Sequence, residues 1–234
     1  MGDYQINNNG NYGGNFDTSI ASDKLNKDVR KGMADFLNAP SWKEILLGPN
    51  MTTLTFSLVW TMSKYINPGD EILLDRSAHG ANIESWKCLA EYGAVIKFID
   101  FNEPDCRLNY DMAEKLIGNK TKLIAVGLTS NLTGTINDIK RLASKAHKYG
   151  ALIFADAVQA APHIPIDVID LEVDFLACSA YKFFGPHVGF IWGKAEHLEK
   201  MDPRRAWPEI DTDIPEKYIL GTPNLVSCQY KYIG

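Results

Sequence analysis

The sequence predicts an α/β fold, a three-layer domain on a mostly parallel seven-stranded sheet with helices on both faces. Three observations predict it. Seven short apolar runs recur along the chain, continuous rather than alternating, as strands buried on both faces require. Stretches with helical apolar spacing fall between them, and this alternation is the mark of a parallel sheet. The 234 residues are 45% apolar and 23% charged, enough for a core that needs no disulfide or metal staples.

The elements follow in order. The first fifteen residues hold five Asn and four Gly, so residues 1–16 read as a flexible or irregular arm. Asp17–Leu37 carries a helical stripe of Ile20, Leu25, Val29, Met33, Phe36 and Leu37. The predicted strands are Glu44–Leu47, Glu71–Leu74, Val95–Ile99, Lys122–Val126, Leu152–Ala155, Phe175–Cys178 and Gly189–Trp192. The predicted helices between them are Thr52–Tyr65, Ala81–Tyr92, Tyr110–Leu116 and Ile136–Tyr149. Ala157–Asp174 is too rich in Pro for a long helix. Residues 17–200 form the main domain and 201–234 an extended tail. There is no repeat of fixed period.

Net charge is −5, so no basic face is available for nucleic acid. The apolar runs break well before the ~18 residues of a membrane span. The first residues lack the basic flank and apolar core of a signal peptide, so the expected location is cytoplasmic. Cys88, Cys106, Cys178 and Cys228 are far apart and form no CxxC pair; they read as reduced thiols, and no metal site is expected.

Open α/β sheets bind ligands at the carboxyl ends of their strands. Residues 48–53, 75–82, 129–135, 156–159 and 179–185 occupy those positions. Lys182 follows an apolar strand among aromatics. If desolvated there, it loses its proton readily and can form a Schiff base; the alternative is a lysine whose head reaches solvent beyond the strand. Asp156 ends the run LIFAD, as a helix cap or as the partner of a pyridine nitrogen, with Gln159 three residues on as a donor to a ring oxygen. Asn50-Met51-Thr52-Thr53 opens a helix after a strand, where an N-cap and a phosphate site look alike. Neither GxxxxGK[ST] nor GxGxxG occurs. His79 precedes a helix and can cap it, stack on a ring or carry protons. His147, His163, His187 and His197 have no acidic or thiol partner at telling spacing and read as structural.

Four motifs occur in one order: Asn-Met-Thr-Thr-Leu-Thr-Phe (50–56), Ser-Asn-Leu-Thr-Gly-Thr-Ile-Asn (130–137), Asp-Ala-Val-Gln-Ala-Ala-Pro-His-Ile-Pro-Ile-Asp-Val (156–168) and Ser-Ala-Tyr-Lys-Phe-Phe-Gly-Pro-His-Val-Gly (179–189). Together they resemble the class V aminotransferase family, in its cysteine desulfurase and selenocysteine lyase-like branch. The resemblance runs from about Asn11 to Asn224. It implies the large domain of a fold type I pyridoxal 5′-phosphate-dependent enzyme acting on an amino acid. Lys182 matches the lysine of the internal aldimine, and His79 the histidine that stacks over the ring with a catalytic role. Asp156 matches the partner of the pyridine nitrogen, and Gln159 that of the ring oxygen. Thr52, Thr53 and Ser179 match phosphate binders, and Asn131 a residue near ring and substrate. Gly221-Thr222-Pro223-Asn224 resembles the segment that reaches the phosphate of a neighbouring subunit, which implies a homodimer with Thr222 at the partner's site. Tyr181 stands where close desulfurases usually have His. Relatives usually continue into a small C-terminal domain bearing the carboxylate-binding arginine and, in desulfurases, the nucleophilic cysteine. A truncated, non-catalytic relative and an aminotransferase or epimerase therefore stand beside the desulfurase reading.

Overall fold

The computed structural model describes residues 2–103, 105–205 and 213–229. Its seven strands are β1 (Ile45–Gly48), β2 (Glu71–Asp75), β3 (Val95–Ile99), β4 (Thr121–Gly127), β5 (Leu152–Asp156), β6 (Phe175–Ser179) and β7 (Gly189–Gly193). They form one sheet in the order β1-β7-β6-β5-β4-β2-β3. Each predicted strand is present, with ends within one residue of those read from the apolar runs. β7 is antiparallel to both neighbours and the other pairs are parallel, so the sheet is mostly parallel as expected. The reversal follows from the link. Nine residues join β6 to β7, too few for the crossover that a parallel return requires.

Successive strand residues point to opposite faces. Leu73, Ile124 and Ile153 pack with helices α2 (Asp17–Phe36), α5 (Tyr110–Leu116) and α6 (Ile139–His147) on one face. Ile72, Leu123 and Phe154 pack with α3 (Met51–Met62), α4 (Gly80–Lys87) and α7 (Ala195–Lys200) on the other. α6 buries Ile139, Leu142, Ala143 and Ala146, the stripe of an amphipathic helix, and Asp138 caps it by accepting from the Arg141 N–H at 3.1 Å.

The helix predicted over Ile136–Tyr149 starts later. Thr129 pairs with Ile136, Asn137 donates its backbone N–H to the Leu128 carbonyl, and Gly134 takes φ +71°, so residues 128–137 form a hairpin-like turn. Residues 2–7, within the segment read as an irregular arm, form α1 (Gly2–Asn7). Tyr4 is buried there and its hydroxyl lies 2.7 Å from Ser22 Oγ. Of the tail, residues 206–212 and 230–234 lie outside the described residues.

Two buried charges tie the layers. Arg30 on α2 donates from Nη1 to the Ile45 carbonyl and from Nε to Asn26 Oδ1 at 3.1 Å. Glu44 accepts from Trp192 Nε1 and from the Ala195 N–H, each at 3.1 Å, and holds α7 to the edge of the sheet.

Candidate active site

The carboxyl ends of β2, β4, β5 and β6 meet the amino end of α3 around one cleft, of about 590 Å³ counting its open mouth. Register sets the alignment: Gly127 pairs with Asp156, Asp156 with Ala177, and Ser179 with Gly189.

One end of the cleft is a helix start. Asn50 caps α3 by accepting from the Thr53 N–H at 2.8 Å and from its hydroxyl at 3.0 Å. Ser179 Oγ accepts from the Met51 N–H at 2.9 Å, which locks the helix start to the end of β6. The Ser179 hydroxyl proton remains to be donated, and Thr52 adds a second hydroxyl to the lining. Free amides and the dipole of a twelve-residue helix favour an anion at this place. The close fit depends on Gly189, where an added Cβ would lie 2.2 Å from the Asn50 carbonyl carbon.

The other end is acidic. Asp156 is 8% exposed, and burial pushes its pKa up to about 6, against a hydrogen bond from the Val158 N–H at 3.0 Å. Asp75, at the end of β2, is buried too. It accepts from the Ser77 N–H at 2.8 Å, the Ser77 hydroxyl at 2.6 Å and the Gly127 N–H at 3.3 Å, while burial raises its pKa. His79 caps α4 through Nδ1, which accepts from the Ala81 N–H at 3.1 Å, so its neutral ring carries the proton on Nε2.

Of the sequence-predicted residues, Thr52, His79, Asn131, Asp156, Gln159, Ser179 and Lys182 line this single cleft. Thr53 and Thr222 do not. They line a second groove with Gly48, Arg30 and Cys228, because the Thr53 hydroxyl turns back to Asn50. Of the two readings left open for Lys182, the structure shows the one in which its head reaches solvent: it is exposed. The 3₁₀ turn Ala180–Phe183 carries it past the strand end, and its Nζ lies 5.5 Å from the Tyr181 ring centroid. Tyr181 also stacks on His187, with ring centroids 4.8 Å apart.

Three contributors were not singled out from sequence. Asp75 carries the same signal as Asp156, an Asp closing an apolar strand. Thr129 lines the cleft with its hydroxyl buried and without a hydrogen-bond partner. Asn137 donates from Nδ2 to the Gly127 carbonyl at 2.8 Å, a contact set by tertiary structure with no local signal.

Residues 1–228 match the family profile described as aminotransferase class-V. The chain belongs to the class-V aminotransferase family. Members of this class-V family are pyridoxal phosphate-dependent. The chain is 33% identical over 212 residues to the cysteine desulfurase of Haloferax volcanii, covering 84% of this chain and 49% of that protein. It is 36% identical over 196 residues to the aminotransferase-like protein FGM3 of Gibberella zeae, covering 82% and 48%. Among solved structures, the apo cysteine desulfurase of Thermococcus onnurineus superposes with a TM-score of 0.87 at 26% identity, covering 97% of this chain and 60% of that one. The fold is that of the type I pyridoxal phosphate enzymes. This class-V chain spans about half the length of the curated relatives it matches.

Proposed function

We propose that the chain binds pyridoxal 5′-phosphate in this cleft and acts on an amino acid. The observation that carries the reading is the convergence of Lys182, Asp156 and the amino end of α3 on one cleft. The residues fit the group. Thr129 brings a buried hydroxyl with no partner, Ser179 a hydroxyl with a free proton, and α3 the positive end of its dipole. When bound, the cofactor supplies an electron sink for the bonds at the substrate Cα.

The chain's own residues do the rest. The start of α3, Thr52 and Ser179 hold the phosphate. Above pH about 6 Asp156 is a carboxylate and accepts the proton of a pyridine nitrogen. Gln159 and Asn131 orient the ring oxygen, and His79 covers the ring. Lys182 would hold the cofactor through Nζ, and the same amine, once free, would be placed to move a proton at Cα. A second copy of the chain completes the site with its own Thr222.

Cysteine desulfuration is the first chemistry, after the Haloferax volcanii and Thermococcus onnurineus relatives that carry that name. Transamination is the second, after the aminotransferase-like relative at 36% identity. Cys178 is fully buried, with its thiol pKa driven upward by that burial, and Cys228 sits in the second groove with its pKa up to about 11. Purified protein titrated with pyridoxal 5′-phosphate is expected to develop a near-visible absorbance band that Lys182→Ala abolishes. Absence of any band in the wild type overturns the reading. Sulfide release from cysteine, measured against keto-acid formation from alanine, then separates the two chemistries.

A further inference from the structure

Two carboxylates share the floor of the cleft. Asp75 closes β2 and Asp156 closes β5, and both line the same space. β4 alone separates them, and its last residue joins them: Gly127 pairs with Asp156 in the sheet and gives its N–H to Asp75 Oδ2 at 3.3 Å. The strands that carry them lie two spacings apart, about 10 Å between backbones. Both are nearly inaccessible, Asp75 at 1% and Asp156 at 8% exposure. Neither forms an ion pair with a lysine or arginine among the described residues; Arg76, the neighbour of Asp75, turns outward to Asp100. The titratable groups that face the pair are His79 from the loop before α4, Tyr181 and Lys182 from the turn after β6, and the Cys178 thiol within β6. Two buried like charges at one cleft raise each other's proton affinity and favour any cation placed against them.

We propose that Asp75 is a positioning residue that acts through Asp156, a second carboxylate that makes the cleft floor select a protonated nitrogen heterocycle over a neutral one. The identity of the heterocycle rests on the cofactor reading above; the coupling of the two carboxylates does not. Asp75 also brackets the loop at Ser77, so a purely structural role is the competing account. It is separable. Asp75→Asn removes the charge and keeps an acceptor for the Ser77 N–H, and Asp75→Ser removes the charge and keeps a hydroxyl.

The test is a carbon-13 NMR titration of the Asp156 carboxyl in the cofactor-free chain, followed by titration with pyridoxal 5′-phosphate. In the wild type the pair titrates in two coupled steps. In either variant Asp156 is expected to titrate in one step, with its midpoint lowered. Affinity for pyridoxal 5′-phosphate at pH 7 is expected to fall about tenfold, while thermal stability holds. An Asp156 midpoint unchanged in both variants, with the chain still folded, sinks the proposal and leaves Asp75 a loop bracket. A shifted midpoint in a chain whose wild type takes up no cofactor supports the coupling and overturns the cofactor reading instead.

Discussion

Burial holds the Asp156 carboxyl protonated up to about pH 6, against 3.8 for the free group. The folded state therefore binds the proton more tightly than the unfolded state. The stability this contributes is fully present below pH 3.8 and is lost as pH rises through about 6. The gap corresponds to about 3 kcal/mol above pH 7. Asp156→Asn keeps an acceptor for the Val158 N–H and has no charge to bury. It is expected to stabilise the cofactor-free chain by about 1–3 kcal/mol at pH 8, with the gain vanishing near pH 4. Urea unfolding at the two pH values checks it, and a destabilised variant at pH 8 contradicts the burial argument. Cofactor uptake by the same variant is expected to be lost. Asp156 was legible in the sequence because it closes an apolar run, and so were Ser179 and Lys182 just after another. The orientation of Lys182 was not, because a short 3₁₀ turn decides whether its amine faces the core or the cleft.

Among the elements, strands read almost to the residue because burial on both faces leaves an unbroken apolar run. Contacts between element ends were not legible. Nothing in the sequence pairs His147 or His197 with Asp174, yet both reach it at the start of β6, from Nε2 at 2.9 and 3.1 Å. Lys194 donates to the same carboxylate at 2.7 Å and the Ile153 N–H at 2.8 Å, which holds its pKa well below the usual carboxylate range. Its contribution is present above the unfolded pKa and fades only in strong acid. Asp174→Asn is expected to cost about 2–4 kcal/mol at pH 7, and less as pH falls below about 4. A urea midpoint equal to wild type at pH 7 contradicts this. The junction of β7 with α3 gives a second test. Gly189→Ala sets a Cβ against the Asn50 and Met51 backbone, at 2.2 and 2.6 Å, where no side chain can swing aside. A loss of about 2 kcal/mol or more is expected, with weakened cofactor uptake. Gly221→Ala, which meets nothing within 4 Å, is the matched control with no stability change.

Across the whole molecule, the cleft and the groove holding Thr222 are separate surfaces among the described residues, and Thr222 lines the groove and not the cleft. A role for Thr222 at a phosphate therefore requires a second copy, since its own cleft is lined by other residues. Large exposed apolar side chains lie beside both places: Leu132 and Phe184 next to cleft residues, Phe56 and Trp60 on the outer side of α3, with Leu220 near the groove. Surface of this kind marks contact sites when it is contiguous. The chain is expected to sediment at about twice 26.1 kDa. Complementation then distinguishes a dimer that shares sites from one that does not. Lys182→Ala lacks the anchoring amine and Thr222→Ala lacks the donated hydroxyl, so each alone is expected to bind cofactor poorly or not at all. In a mixed dimer the Lys182→Ala chain lends its intact Thr222 to the cleft of the Thr222→Ala chain, which restores one complete site. Mixing the two variants after dissociation should therefore recover part of the near-visible band. If Thr222 served its own chain's cleft, every site in the mixture would stay defective and the band would not return.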